Sequence, residues 1–209
     1  MQELVNNLQE TFAGRIRRAD WMSDETKQRA VEKLQAFLKK IGYPDTWKDY
    51  STITIHKDDL LGNVRSCGIW AHTDNVTRLG KPVDRTRWTM TPPTINAYYN
   101  SSNNEIVFPA GILQFPFFDF EADDAVNYGG IGAVIGHEMT HGFDDQGRQF
   151  AADGNLRDWW TKADADKFKL RANEGVAQYN GFTVLDILHV NGQLTLGENL
   201  ADLGGLSIA

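Results

Sequence analysis

His137 and His141 stand four residues apart, with Glu138 directly after the first of them. At i and i+4 of a helix both rings lie on one face and can point at a single metal ion. Glu138 is displaced around the helix, where it can stand beside that ion and take a proton from the water it activates. A bare pattern of this kind also arises by chance, so the flanks decide. Gly129 to Gly136 is apolar and poor in charge, which predicts a buried helix. Two histidines and a glutamate are costly to bury unpartnered, and a metal ion would partner all three. Two histidines rarely complete a zinc site, so a third protein ligand is expected, with the fourth position left to water. Glu198 and Asp202 form a second i, i+4 pair. Glu198 can supply the third ligand, while Asp202 accepts a hydrogen bond from the far nitrogen of a ligand histidine and fixes its tautomer. The competing reading is a solvated acidic face. Against it, Leu196, Leu200, Leu203 and Leu206 make the rest of that helix apolar. Asp144, three residues after His141, has two readings: it orients a ligand histidine, or it caps the following turn.

The elements that must position these groups follow from periodicity. Leu4, Leu8, Phe12 and Ile16 recur every four residues and predict an amphipathic helix over 2–19. A second helix is expected to start at the N-cap Ser23 and to end at Gly42 before Pro44. It would bury Ala30, Leu34, Phe37, Leu38 and Ile41, with Lys39 and Lys40 in its last turn. Thr52 to Ile55 alternates and suggests a short extended piece, 59–79 reads as a helix, and 81–93, with Pro92 and Pro93, as a loop. Ile95 to Tyr99 and Glu105 to Phe108 are strand-like and joined by a polar run, which is a hairpin signal. Helices are expected over 127–141, 159–179 and from Leu196 onward. The domain division expected is a helical lobe over 1–90 and a zinc-binding subdomain over 91–209.

The 209 residues suffice for one domain or two small lobes, and 41% hydrophobic with 23% charged residues is ordinary for a globular chain. A net charge of −7 argues against nucleic acid or an anionic membrane surface as partner. No apolar run approaches the roughly 20 residues that span a bilayer, and the N-terminus has no signal-peptide core. Cys67 is alone, which precludes an intrachain disulfide.

Four blocks in order carry a specific likeness: Asn96 to Asn100, Asn104 to Gln114, Gly136 to Asp145 (G-H-E-M-T-H-G-F-D-D) and Leu196 to Leu206 (L-G-E-N-L-A-D-L-G-G-L), with weaker similarity through Trp21-Met22 and Ile41 to Asp45. With these the chain resembles the neprilysin-type zinc metallopeptidases, the family of neprilysin, endothelin-converting enzyme and bacterial oligopeptidase O. Met139 stands where isoleucine is usual, and Phe115 replaces the first proline of the usual Gln-Pro-Pro.

The resemblance implies a mainly α chain with a small β-sheet, an α+β thermolysin-like zincin core truncated at its C-terminus. It implies one zinc ion held by His137, His141 and Glu198, with Glu138 as general base and Asp202 behind a ligand histidine. Peptides are the implied substrates. Asn96 and Ala97 would bind the substrate main chain as an edge strand, and Ile112, Phe117, Ala133 and Val134 would line the pocket for the residue after the cut; from the residues alone these six read as hairpin and core. The family's catalytic part continues beyond the E-N-x-A-D helix to a histidine and an arginine that match no motif here. The expectation is therefore a peptidase segment that works with remaining domains. The alternatives are a zinc-binding piece with little activity, inclined to self-associate through Leu203, Leu206 and Ile208, and a structural protein without metal, which the full ligand set disfavours. Disulfide-rich secreted animal members contrast with the lone cysteine, so a bacterial member, periplasmic, secreted or cytoplasmic, is the expectation.

Overall fold

The computed structural model describes residues 1–209, which divide into two compact units: Met1–Tyr43 together with Met90–Ala209, and Pro44–Thr89. The expected boundary near residue 90 is one edge of the smaller unit, but the first 43 residues belong with the zinc motif and not with a separate lobe. The reason is the core: Val5, Leu8 and Leu34 from the first two helices share one apolar cluster with Ile106, Phe108, Ile131, Ile135 and Met139.

In the larger unit, α1 (Gln2–Arg18) buries Leu4, Val5, Leu8, Ala13 and Ile16, the stripe that its four-residue recurrence predicts. Ser23 caps α2 (Asp24–Gln35), its side chain accepting from the Thr26 N–H. The C-terminal end of α2 falls short of the expected Gly42. The helix stops at Gln35, and Leu38–Gly42 forms strand β1. Three carbonyl and strand partners explain the early stop. The Asn104 side-chain amide donates to the Lys33 carbonyl at 3.1 Å, the Gln9 amide donates to the Leu34 carbonyl at 2.6 Å, and the Leu38 N–H donates to the Asn104 carbonyl at 2.9 Å. Side chains thus take over the orphan carbonyls of a helix end, and the next residues gain a ladder instead of another turn. Lys39 and Lys40, expected in a last helical turn, lie in that strand. Lys40 pairs with buried Glu105 at 2.6 Å.

β2 (Tyr98–Asn100) and β3 (Glu105–Pro109) form the expected hairpin, Tyr98 opposite Val107 and Asn100 opposite Glu105. β1 adds to the other side of β3 in parallel, Leu38 opposite Glu105 and Gly42 opposite Pro109, giving the order β1-β3-β2. β3 is central and buried along its whole length, while β2 is an edge. The expected zinc helix is built in three pieces: a short α4 (Asp124–Asn127), a π turn over Tyr128–Gly132, and α5 (Ala133–His141). In the π turn Ile131 donates to the Phe117 carbonyl at 2.7 Å, and a Cβ on Gly130 would come within 2.7 Å of that oxygen.

In the smaller unit Asp59 caps α3 (Leu60–Val76) by accepting from the Gly62 N–H, and Arg87 meets both carboxylate oxygens of Asp74 at 3.2 and 2.5 Å. Thr52 to Ile55 has no strand partner, contrary to its alternating pattern. Back in the larger unit, α6 (Lys162–Asn180) starts later than expected, because Trp159 and Trp160 enter the core ahead of it. A two-stranded ribbon of β4 (Thr183–Val184) and β5 (Leu188–His189) leads to α7 (Leu196–Ile208). The result is the mainly helical α+β chain expected, and no helix is long and apolar enough to cross a membrane.

Asp164 ties the starts of α2 and α6 together. Its Oδ2 accepts from the Ser23 N–H at 3.0 Å and from the hydroxyls of Ser23, Thr26 and Thr161 at 2.5, 2.7 and 2.8 Å. Burial works to raise this carboxyl, and the hydrogen bonds outweigh it, holding it well below the usual carboxylate range. A group depressed in the folded state contributes stability that is fully present above the ordinary carboxylate value of about 4 and is lost as pH falls through the folded value. Asp164→Ala should therefore destabilise the fold by about 2–3 kcal/mol near pH 7, the scale of a buried charged hydrogen-bonding partner. In urea titrations the gap between the two proteins should begin to narrow as pH drops below about 4, where the unfolded chain takes up the proton, and close only below the depressed folded value, where the native Asp164 protonates as well.

Candidate metal centre

α5 and α7 cross in backbone contact, and glycines make that approach feasible. A Cβ on Gly136 would fall 2.8 Å from the Gly205 Cα and 2.8 Å from the Ile208 side chain, and one on Gly205 would fall 2.6 Å from the His137 nitrogen. A Cβ on Gly204 would meet the Thr140 side chain at 2.3 Å, and one on Gly197 would lie 3.2 Å from Asp144 Oδ2. The packing face of α7 is thus small, Gly197, Ala201, Gly204 and Gly205, closed by Ile208. Of the leucines, Leu196 is buried, while Leu203 and Leu206 are exposed; Ile208, expected to lie open beside those two, is buried instead. A helix that settles this deeply brings its first turns over the end of α5.

Three donor atoms meet there. His137 Nε2 and His141 Nε2 are 2.9 Å apart, and Glu198 Oε2 lies 3.3 Å from the first and 3.6 Å from the second. The outer nitrogens are already engaged, His137 Nδ1 with Asp202 Oδ1 at 2.8 Å and His141 Nδ1 with Asp144 Oδ2 at 2.7 Å. A ring N–H facing a carboxylate donates to it, which turns both Nε2 lone pairs toward one point. Two such acceptors face to face call for a cation between them. Nitrogen and oxygen ligands held about 2.0–2.1 Å from a tetrahedral zinc stand about 3.3–3.4 Å from one another, the scale of this triangle. The residues fit the ion. Asp144 fulfils both of its readings, because its other oxygen accepts from the Gln146 and Gly147 N–H groups at 2.9 and 2.6 Å.

The expectation that all these groups are buried holds only in part. The histidines are mostly buried, whereas the side chains of Glu198 and Asp202 are 71% and 74% exposed. Glu138, like Asp144, is buried, and burial pushes Glu138 up, against the opposing charges of His141 and His137 and a backbone hydrogen bond from Tyr99. For His141, burial disfavours the charged ring, but the hydrogen bond and charge of Asp144, with Glu138 and Glu198, outweigh it and raise the ring above its usual range.

The other expected site residues are placed less decisively. Asn96 and Ala97 lie just ahead of β2 and not within it; Asn96 is exposed, its side-chain oxygen accepting from the Ala97 N–H at 2.9 Å. Ile112 is core, while Phe117 and Val134 border the core half-buried. Ala133 sits at the start of α5, its carbonyl 2.6 Å from where a Cβ on Gly205 would be. Two contributors escaped the sequence reading: the Tyr99 N–H beside Glu138, and Lys33. The signal for Lys33 was available, since it falls on the same face of α2 as buried Ala30 and Leu34, where a charged residue is out of place.

The model of peptidase family M13 matches residues 96–209, and a second M13 model matches residues 1–44. The chain is 43% identical to an endothelin-converting enzyme homolog of Locusta migratoria over 100% of its own length and 29% of the relative's. It is 41% identical to human neprilysin, again over 100% and 29%. Among solved structures, the Mycobacterium tuberculosis zinc metalloprotease ZMP1, crystallised with an inhibitor, superposes with a TM-score of 0.95 at 53% identity, covering 99% of this chain and 32% of that one. PepO from Lactobacillus rhamnosis superposes with a TM-score of 0.94 at 35% identity, covering 99% and 33%. The chain thus spans about a third of the length of these proteins or slightly less.

Elemental analysis of the dialysed protein should find about one zinc per chain, and none in the His137→Ala, His141→Ala double variant. Asp202→Ala should weaken zinc binding on the order of 10–100-fold. Gly205→Ala should weaken it comparably by lifting Glu198 away from the histidines, while Leu206→Ala on the exposed face of α7 leaves the affinity within about threefold. Equal affinities for Gly205→Ala and Leu206→Ala in a chelator competition would exclude the glycine contact as the device that brings the third ligand in.

Proposed function

The chain belongs to peptidase family M13, and on that premise we propose that it forms the zinc-holding part of an endopeptidase or oligopeptidase. In this reading His137, His141 and Glu198 hold one zinc ion, and Glu138 is the general base. The observation that carries it is the convergence of three donor atoms, with both outer histidine nitrogens already engaged by carboxylates and one buried carboxylate standing alongside.

When bound, zinc supplies a Lewis acid for the peptide carbonyl and for the attacking water. Glu138 accepts the proton that the water gives up and passes it to the leaving nitrogen as the C–N bond breaks. Burial raises its basicity, and the Tyr99 N–H holds the carboxylate in place. Asp202 and Asp144 keep the two rings in the tautomer that leaves Nε2 unprotonated. β2 is paired on one side only, and with Asn96 and Ala97 leading into it this edge can take an extended peptide by main-chain hydrogen bonds, which any sequence supplies. The half-buried Phe117 and Val134, with Ile112 and Ala133, would then accept the side chain after the cut.

The exposure of Glu198 and Asp202 favours a second reading, in which this chain by itself holds zinc but hydrolyses peptides weakly, since water-excluded sites make such electrostatics count for most. Chelator-sensitive cleavage of a short peptide by the purified chain separates the two. For the proposed base, Glu138→Gln keeps size and shape but cannot accept the proton. Zinc content should stay at the wild-type level while turnover falls by at least about 10²-fold. Turnover within about tenfold of wild type would remove Glu138 from that role.

A further inference from the structure

Lys33 is the largest fully buried side chain of the protein, at 1% exposure in the last turn of α2. A lysine is almost never placed so deeply without partners that hold it. Its Nζ donates to the Gly142 carbonyl at 2.5 Å and to the Gly147 carbonyl at 2.7 Å. The rings of Phe143, Trp159 and Tyr99 surround it, with centroids 5.4, 5.7 and 5.9 Å away. Gly142 is the residue that ends α5 directly after His141, and Gly147 closes the following turn.

What this turn carries gives the contact its meaning. Asp144 lies between the two glycines, and both of its oxygens are committed: Oδ2 to His141 Nδ1, and Oδ1 to the N–H groups of Gln146 and Gly147. Gly147 is therefore held at both ends, its carbonyl by Lys33 and its N–H by Asp144. The space is tight, since a Cβ on Gly147 would fall 1.8 Å from the His141 carbonyl oxygen. In this arrangement of the turn Asp144 meets the ring, and Lys33 fastens the turn to the core.

We propose that Lys33 is a positioning residue for the metal centre: by clamping the Gly142 and Gly147 carbonyls it fixes the Asp144 turn, and through Asp144 the orientation of the His141 ring. The proposal rests on the zinc-site reading above. Burial lowers the Lys33 pKa to about 7, with the Asp144 charge acting against the fall. The clamp does not depend on the outcome of that balance, because an amine in either state has the two N–H groups that the two carbonyls need.

The test compares zinc affinity, by competition with a chromogenic chelator, with the thermal stability of the zinc-free protein. The proteins are wild type, Lys33→Met, Leu34→Ala, Asp144→Ala and the Lys33→Met, Asp144→Ala double variant. Lys33→Met should weaken zinc binding on the order of 10–100-fold, the effect of losing a group behind a ligand. Leu34→Ala, which opens a core cavity on the same helix, should lose at least as much thermal stability yet keep its affinity within about threefold. In the Asp144→Ala background Lys33→Met should add less than about threefold, because the route it acts through is already gone. Affinity unchanged in Lys33→Met, affinity falling only in step with stability as in Leu34→Ala, or full additivity with Asp144→Ala would each overturn the proposal. If Lys33→Met does not fold, Lys33→Gln takes its place in the same comparison. A Lys33→Gln that also fails to fold would mark Lys33 as purely structural and overturn it too. A wild type that binds no zinc would refute the metal-site reading instead, and so tell the two failures apart.

Discussion

The whole arrangement depends on two helices meeting without side chains between them. Packed helices usually stand about 8–10 Å apart, a distance set by the residues at the contact. At the α5 and α7 crossing those residues are Gly136 on one side and Gly204 and Gly205 on the other, so the backbones themselves touch. That depth brings Glu198 Oε2 within 3.6 Å of both histidine nitrogens. One intervening methyl group would occupy space that the neighbouring backbone already fills. The ligand triangle is therefore a property of the crossing as much as of the ligands.

Around this crossing the larger unit is knitted by buried polar groups as well as by its apolar cluster. Lys33 fastens the turn after α5, Asp164 joins the starts of α2 and α6, and Lys40 with Glu105 spans β1 and β3. Each is expensive to bury and each is partnered, which makes the arrangement unforgiving: removing one member strands the others. Apolar packing tolerates small displacements, whereas hydrogen bonds of this kind fix direction and register. A centre whose donor atoms must meet to within a few tenths of an ångström gains from that stiffness.

The carboxylates at the centre are separated by environment. Glu138 is buried and raised, with a backbone N–H against it, as suits a group that must take up and release a proton. Glu198 and Asp202 sit on the accessible side of α7, where ionised carboxylates stay solvated and available to a cation and to an imidazole N–H. One residue type thus serves three tasks according to where the helices place it.

The sequence by itself determined much of the local chemistry. The i, i+4 spacing of His137 and His141 and of Glu198 and Asp202, the Ser23 cap, the existence of the hairpin (though its first strand starts at Tyr98 and not at Ile95) and the buried stripe of α1 follow from periods and capping rules that act over a few residues. The tertiary structure decided what depends on distant partners. Leu38–Gly42 reads as helix but becomes strand, because β3 offers a ladder and side chains of Asn104 and Gln9 take the helix's last carbonyls. The face of α7 that packs on α5 is lined by glycines and closed by Ile208, since backbone contact with α5 can only be recognised once the two helices are seen together. The burial of Lys33 and the double duty of Asp144 have the same origin: each is fixed by carbonyls and N–H groups that a linear pattern does not place. Local spacing settles which groups can act; which of them meet is settled by close packing between segments far apart in the chain.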